Sequence, residues 1–101
     1  MLMELSIIPA GRGRSVSAEI AEVIKIIDAS GLDYRLTPMA TMIEGSLDEL
    51  MNLAKTCHQN IRGRNDRVIT LIKLDDYEQR KGRLVAAVKS VEDKVGKSVK
   101  Q

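Results

Sequence analysis

The sequence predicts a single α+β domain in which helices pack on an antiparallel sheet. Two observations carry this prediction. Segments in which apolar residues alternate are interleaved with segments in which they recur every three or four positions. The order of these segments is β-α-β-β-α-β, followed by one further helix. The length of 101 residues suits one domain spanning residues 1–101. Two β-α-β halves of this kind form a ferredoxin-like sandwich.

The first half begins with an alternating apolar segment from Met1 to Pro9, which predicts a strand ended by the proline. Ser15 or Ser17 is placed to cap the helix that follows, because a serine hydroxyl can accept from its free N–H groups. Gly31 is placed to end this helix in a left-handed conformation. The apolar stripe of the helix is Ile20, Val23, Ile24 and Ile27.

The second half begins with an extended segment, residues 34–44, which Pro38 interrupts. The interruption predicts either two short strands or one long bent strand. Ser46 and Glu49 form the capping box of a second helix, because each can bond a backbone N–H near the other. The predicted buried face of that helix is Leu47, Leu50, Met51, Ala54, Cys57 or His58, and Ile61.

The last strand is predicted over Arg67–Leu74, and its mostly apolar composition favours a central position with both faces covered. A last helix follows Gly82, with the apolar stripe Leu84, Val88, Val91, Val95 and Val99. Helices on one face leave the other face of the sheet without cover from the same chain. We therefore expect a second copy to cover it, as a homo-oligomer.

The composition excludes several classes of function. Two tyrosines are the only aromatic residues, which argues against modules that stack nucleic-acid bases, and a net charge of +2 is too small for a nucleic-acid surface. No apolar run approaches the length of a membrane span, and no signal peptide is recognisable. One cysteine suits a reducing compartment. We expect a cytoplasmic protein with neither nucleic acid nor membrane as partner.

The residues offer no convincing catalytic or metal-binding set. Cys57 and His58 are adjacent on a helix and point about 100° apart, so they cannot form a nucleophile–base pair. One cysteine and one histidine also cannot fill a zinc shell. The Gly11–Arg14 loop lacks the third glycine of a dinucleotide-binding loop, and a solvated loop explains it better. We predict no enzymatic activity and no metal.

The segment from Pro38 to Gly45 is the most informative for a ligand site. Glu44 ends an apolar strand at the start of a helix, where a carboxylate can meet a cationic or N–H-rich ligand. Thr41 adds a donor and an acceptor on the same strand. Equally, Glu44 can be a helix cap and Thr41 an ordinary strand residue. The two have opposite strand parity, so they share one pocket only across a bulge or at the strand end.

Several segments, in the same order, resemble a family of small thiamine-binding proteins, and the resemblance covers nearly the whole chain. The more specific ones are the first-strand proline, the Ser-Gly-Leu-x-Tyr run and the Thr-x-Ile-Glu-Gly run. The segments are Ser6–Pro9, Ser15–Ser17, Ser30–Tyr34, Thr41–Gly45 and Arg67–Lys73. The resemblance implies a ferredoxin-like fold, a homotetramer assembled as a dimer of dimers, and binding of thiamine or its hydroxymethyl-pyrimidine portion without catalysis or a further cofactor.

The resemblance also implies a set of ligand-binding residues. Glu44 and Thr41 lie in its most diagnostic segment, and Ser6 and Pro9 lie on the first strand beside the expected pocket. Adaptable apolar walls are expected from Met39 and Ile8, together with Met42. Arg12 and Arg14 make one loop more basic than the family pattern, which implies either a phosphorylated ligand or side chains directed away from the site.

The sequence and the resemblance leave two candidate functions. The first is a cytoplasmic carrier or sensor of thiamine or its pyrimidine precursor. The alternative is a ferredoxin-like regulatory or interaction module that binds another small molecule or a protein at a subunit interface. The fold alone cannot separate them, because it hosts many functions. The position of Glu44, in a cavity or at a helix end, discriminates between them.

Overall fold

The computed structural model describes residues 1–11, 16–78 and 81–101. It confirms the α+β class and the order of elements, and resolves the interrupted segment into two short strands. The sheet has the order β2-β3-β1-β4, and every neighbouring pair is antiparallel. The elements are β1 Leu2–Pro9, α1 Ser17–Ala29, β2 Asp33–Leu36, β3 Thr41–Glu44, α2 Leu47–Arg62, β4 Val68–Asp75 and α3 Arg83–Val95.

The core lies between the sheet and the pair α1 and α2. Met3 and Leu5 of β1 and Ile43 of β3 share one face of the sheet, because directly opposite residues of an antiparallel pair point the same way. Val23 and Ile27 of α1 pack against this face of the sheet and belong to the same core. The remaining buried apolar members come from α2: Leu50, Leu53, Ala54, Cys57 and Ile61.

The ends of α1 differ in how well local sequence predicts them. Gly31 has φ +76° and follows the helix, which confirms the predicted left-handed stop. At the other end Val16 occupies the N-cap position and Ser17 is already helical, so the predicted Ser17 cap is wrong. Ser15, the alternative cap, lies outside the described residues.

The capping box of α2 is confirmed. The Ser46 hydroxyl accepts from the Glu49 N–H at 3.2 Å, and the Glu49 carboxylate accepts from the Ser46 N–H at 3.0 Å. The predicted buried face is partly wrong, because Leu47 and Met51 are 48% and 41% exposed. Leu53 is buried instead, and it borders a surface groove together with Ile26 and Ala29 of α1.

The predicted central position of the last strand is wrong, since within the described parts of the chain β4 is an edge strand whose one partner is β1. The residue types along a strand indicate whether its two faces are apolar. They do not indicate whether another strand pairs with it on each side. The apolar side chains of β4 are consequently exposed in the single chain. They are Ile69, Leu71, Ile72 and Leu74.

The expectation that all helices lie on one face is also corrected. The helix α3 contacts β3 and β2 and lies beside Leu2 and Met42, whose parity places them on the face opposite α1 and α2. Val99 lies beyond the helix, which Gly96 ends in a left-handed conformation. The part of this face formed by β1 and β4 keeps exposed apolar residues: Ile8, Ile69 and Leu71.

We predict that Leu50→Ala lowers the free energy of unfolding by about 2–5 kcal/mol, because it removes a fully buried side chain and leaves a cavity. Leu47→Ala on the same helix is the matched control and should change it by less than about 1 kcal/mol, because Leu47 is largely exposed. Urea unfolding measures both. Equal losses would contradict the burial pattern of α2.

Candidate functional site

A pocket of about 140 Å³ lies at the end of the sheet where β1 extends past β3. The pairing of β1 with β3 ends at Leu5 opposite Thr41, whereas β1 continues against β4 as far as Pro9. The end of β1, the β2–β3 turn and the start of α1 surround the space. Its lining is Leu5, Ser6, Ile7, Ile8, Val16, Ile20, Val23, Leu36, Thr37, Pro38, Met39, Ala40 and Thr41.

The β2–β3 turn is held in one geometry by short hydrogen bonds. The Thr37 hydroxyl donates to the Ala40 carbonyl at 2.7 Å and accepts from the Ala40 N–H at 3.1 Å. The Ser6 hydroxyl donates to the Met39 carbonyl at 3.2 Å, which ties the turn to β1. The Met39 side chain is 87% exposed on this fixed turn, so it projects from the rim of the pocket.

Four of the six predicted site residues line this pocket. Ser6 and Ile8 come from β1, Met39 comes from the turn, and Thr41 opens β3 with only 5% exposure. Pro9 is buried at the end of β1, next in sequence to the lining. The structure thus brings the predicted residues of β1 and of the turn together at one end of the sheet.

Glu44 lies elsewhere, at the far end of β3 and on the opposite face of the sheet from Thr41. Its Oε2 accepts from the N–H of Arg83 at 2.9 Å and its Oε1 accepts from the N–H of Leu84 at 3.1 Å. Both carboxylate oxygens therefore cap α3. The sequence alternatives placed Glu44 at the start of α2, which Ser46 and Glu49 cap instead.

The pKa of Glu44 follows from this position. Partial burial raises the pKa of the carboxyl, but hydrogen bonds from the N–H groups of Leu84 and Arg83 lower it more. The net pKa lies below the usual 4.5. Glu44 also borders a cavity of about 660 Å³ that carries further acidic side chains, Asp33, Glu49, Asp76 and Glu78.

Arg83 is a residue that sequence reasoning missed. Its guanidinium forms an ion pair with Asp75 at 2.9 Å and lies 5.2 Å from the centre of the Tyr77 ring. With the Glu44 cap, these contacts attach the start of α3 to the sheet. No sequence signal links Glu44 to Arg83, because the two are 39 residues apart.

The groups considered for catalysis are packed into the structure. Cys57 is buried, and this burial raises the pKa of its thiol to about 11. His58 Nδ1 lies 2.6 Å from the Thr70 hydroxyl of β4. In residues 1–11, 16–78 and 81–101, no group of three potential metal ligands occurs and no helix is long and apolar enough to span a membrane. Arg12 and Arg14 lie outside these ranges.

Comparison with known proteins gives consistent matches over nearly the whole chain. The family model described as thiamine-binding protein matches residues 3–92. The UPF0045 protein YqgV of Bacillus subtilis is 38% identical over 96 residues, covering 89% of this chain and 92% of the relative. The UPF0045 protein MJ1052 of Methanocaldococcus jannaschii is 30% identical over 91 residues, covering 90% of this chain and 91% of the relative.

Solved structures share the fold. The crystal structure of MJ1052 superposes with a TM-score of 0.85 at 29% identity, covering 91% of this chain and 95% of that chain. A candidate thiamine biosynthesis/salvage protein of Thermotoga maritima superposes with a TM-score of 0.73 at 20% identity, covering 94% of both chains. At that identity the second likeness bears on the fold alone.

We predict that Glu44→Gln lowers stability at neutral pH by about 1 kcal/mol, a typical loss for a helix cap. Because folding lowers the pKa of Glu44, its contribution is complete above about pH 5 and is lost as the pH falls below 4.5. The difference from wild type should therefore shrink on acidification. Melting temperatures between pH 7 and pH 3 measure it, with Glu4→Gln on the same face as control. A difference that is constant with pH would contradict the cap.

Proposed function

The chain belongs to the thiamine-binding protein family, and from this membership we propose that it binds thiamine or its hydroxymethyl-pyrimidine portion in the pocket beside β1. In this proposal the protein is a cytoplasmic carrier or sensor and catalyses no reaction. The free, buried Cys57 suits a reducing compartment. The observation that carries the proposal is the size and lining of the pocket.

The pocket has the volume of one aromatic ring. At about 140 Å³ it is close to the 150 Å³ of a protein cavity that holds a single benzene molecule. A pyrimidine ring therefore fits inside. The thiazolium ring of thiamine would extend out of the pocket past the exposed Met39 side chain, whose thioether adapts to varied surfaces.

The lining suits an uncharged heterocycle. The side of the pocket formed by the start of α1 is apolar, with Val16, Ile20 and Val23, whereas Ser6 and Thr41 of the strands are polar lining residues. Such a combination of apolar walls and few polar groups is typical of small-molecule sites. None of the described lining residues is charged, which favours the neutral pyrimidine over the cationic thiazolium inside the pocket.

Glu44 is assigned a structural role in this proposal. Both of its oxygens accept hydrogen bonds from α3, and it does not line the pocket beside β1. The alternative, in which Glu44 holds the ligand, requires the cavity at the other end of β3. The two sites are far enough apart in the fold for separate substitutions to distinguish them.

We predict that hydroxymethyl-pyrimidine binds with micromolar affinity or better, about −8 kcal/mol, measured by calorimetry. Ile20→Trp should abolish the binding, because the larger side chain fills the pocket from α1. Ala21→Trp is the matched control, since it adds the same indole to an exposed neighbouring position. Glu44→Gln should retain binding.

Two outcomes would contradict the assignment. Loss of binding in a folded Glu44→Gln protein, with Ile20→Trp unaffected, would move the ligand to the other end of β3. An absence of heat and of thermal shift with thiamine, its phosphate and the pyrimidine would remove the thiamine-related function. It would favour the interaction module instead.

We also propose that the chain assembles as a homotetramer, and two surfaces support this. One is the free edge of β4, and the other is the open part of the sheet face formed by β1 and β4. An antiparallel second copy with Leu71 on the two-fold axis would place Arg67 opposite Asp75 at both ends of the paired strands. The edge is therefore self-complementary in charge as well as apolar.

We predict that wild-type protein sediments with four times the mass of the 11.2 kDa chain. Leu71→Glu should reduce that mass, because it places two carboxylates together on the axis, while the 57% exposure of Leu71 leaves the monomer fold intact. Lys55→Glu, on the exposed side of α2, should leave the mass unchanged. A wild-type monomer at micromolar concentration would refute the proposed assembly.

A further inference from the structure

Among the residues that the structure describes, no strand pairs with the last part of β1 on the side of the pocket. The strand pairs with β4 from Leu2 to Pro9, but with β3 only from Leu2 to Leu5. Beyond Leu5 the chain of β3 has already turned away at Ala40 and Met39. Peptide groups of β1 that point toward the missing part of β3 therefore face the pocket.

The register identifies those groups. The N–H of Ala10 donates to the Arg67 carbonyl at 2.9 Å, which shows that the even-numbered residues of β1 bond to β4. The Met1 carbonyl accepts from the Gly45 N–H at 3.1 Å, which shows that the odd-numbered residues point toward β3. Ile7 is odd-numbered and lines the pocket, so both its N–H and its carbonyl point into this gap.

No described residue takes the place of a strand partner opposite Ile7. Continuing the register would bring Met39 there, but the Met39 carbonyl instead accepts from the Ser6 hydroxyl at 3.2 Å. Backbone donors and acceptors near a protein interior need a partner, and none of the described residues supplies one to Ile7. A ligand that pairs with this peptide must offer one acceptor and one donor side by side.

The open edge is only one residue wide. Leu5 is already paired with Thr41, and Pro9, the next odd-numbered residue, has no N–H to donate. A peptide strand could therefore form no more than one donor–acceptor pair here, and a pocket of about 140 Å³ is too small for it. A single planar ring matches both the volume and the one available pair.

We infer that the peptide of Ile7 is the element that recognises the ligand, and that the ligand is an amino-substituted aromatic heterocycle. The Ile7 N–H donates to a ring nitrogen, and the Ile7 carbonyl accepts from the adjacent exocyclic amine. This inference rests on the proposed function, since the aminopyrimidine of thiamine carries such a pair. It adds that specificity comes from a backbone edge rather than from a side chain.

Hydrogen exchange of individual amides tests the inference without any substitution. In the free protein the Ser6 and Ile8 amides should exchange slowly, because both donate to β4, whereas the Ile7 amide should exchange quickly. Saturation with 4-amino-5-hydroxymethyl-2-methylpyrimidine should slow exchange at Ile7 by about tenfold or more. The ratio of Ile7 to its two neighbours serves as the internal control.

A ligand analogue and two substitutions test the two proposed hydrogen bonds of Ile7 through their effect on affinity. The pyrimidine without its amino group should bind about tenfold more weakly or worse, because the Ile7 carbonyl is left without a donor. Ile7→Pro removes the N–H and should abolish binding, while the ladder to β4 keeps its hydrogen bonds. Ile7→Ala shortens a lining side chain but keeps the N–H, so it should weaken binding much less than Ile7→Pro does.

The outcomes separate this inference from the function on which it rests. Binding of the aminopyrimidine with unchanged exchange at Ile7, or equal affinity for the analogue without the amine, would overturn the role of Ile7 and leave the function standing. An absence of binding by thiamine and by both pyrimidines would overturn the function as well. Protection at Ile7 together with weaker binding of the analogue supports both.

Discussion

The unequal pairing of β1 is the constraint on which the rest of the structure depends. Eight residues of β1 pair with β4, but only four pair with β3, because the chain turns at Pro38 before β3 begins. The four unmatched residues leave a gap in the sheet, and the start of α1 covers it on the helix side. A pocket exists because a strand is missing there, and the hydrogen bonds around Thr37 and Ser6 keep the turn from closing it.

A second contact, between Glu44 and the start of α3, controls the opposite face. The two oxygens of Glu44 fix two N–H groups of α3, and the ion pair of Arg83 with Asp75 fixes the same end of the helix. The helix then covers β2 and β3, and the part of the face formed by β1 and β4 stays open. Glu44 thus helps to determine which part of this sheet face α3 covers, and it does so at a distance from the pocket.

Most local features were predictable from the sequence, although the Ser17 cap was not, whereas features that depend on which elements are neighbours were not predictable. The Ser46–Glu49 capping box and the left-handed Gly31 are determined by a few adjacent residues. The edge position of β4 was not predictable, because apolar residues on both faces of a strand do not indicate whether a second strand pairs with each of its edges. The contact of Glu44 with α3 joins positions 39 residues apart, and no periodicity reports it. Ser6, Ile8, Met39 and Thr41 were named from the sequence and lie at one pocket, whereas the direction of the Ile7 peptide follows only from the register.

The position of Ile7 explains why residue types alone reveal so little of this site. When the N–H and the carbonyl of Ile7 recognise the ligand, the Ile7 side chain contributes only to packing. Binding then depends on the strand register, because the register decides which peptide faces the pocket. The Thr41–Gly45 segment then contributes by setting where β3 begins and how it aligns with β1, since Thr41 opposite Leu5 is the last pair before the gap. At the other end of β3, the carboxylate of Glu44 in the same segment holds the start of α3. One short segment therefore positions the pocket by its first residue and the covering helix by Glu44.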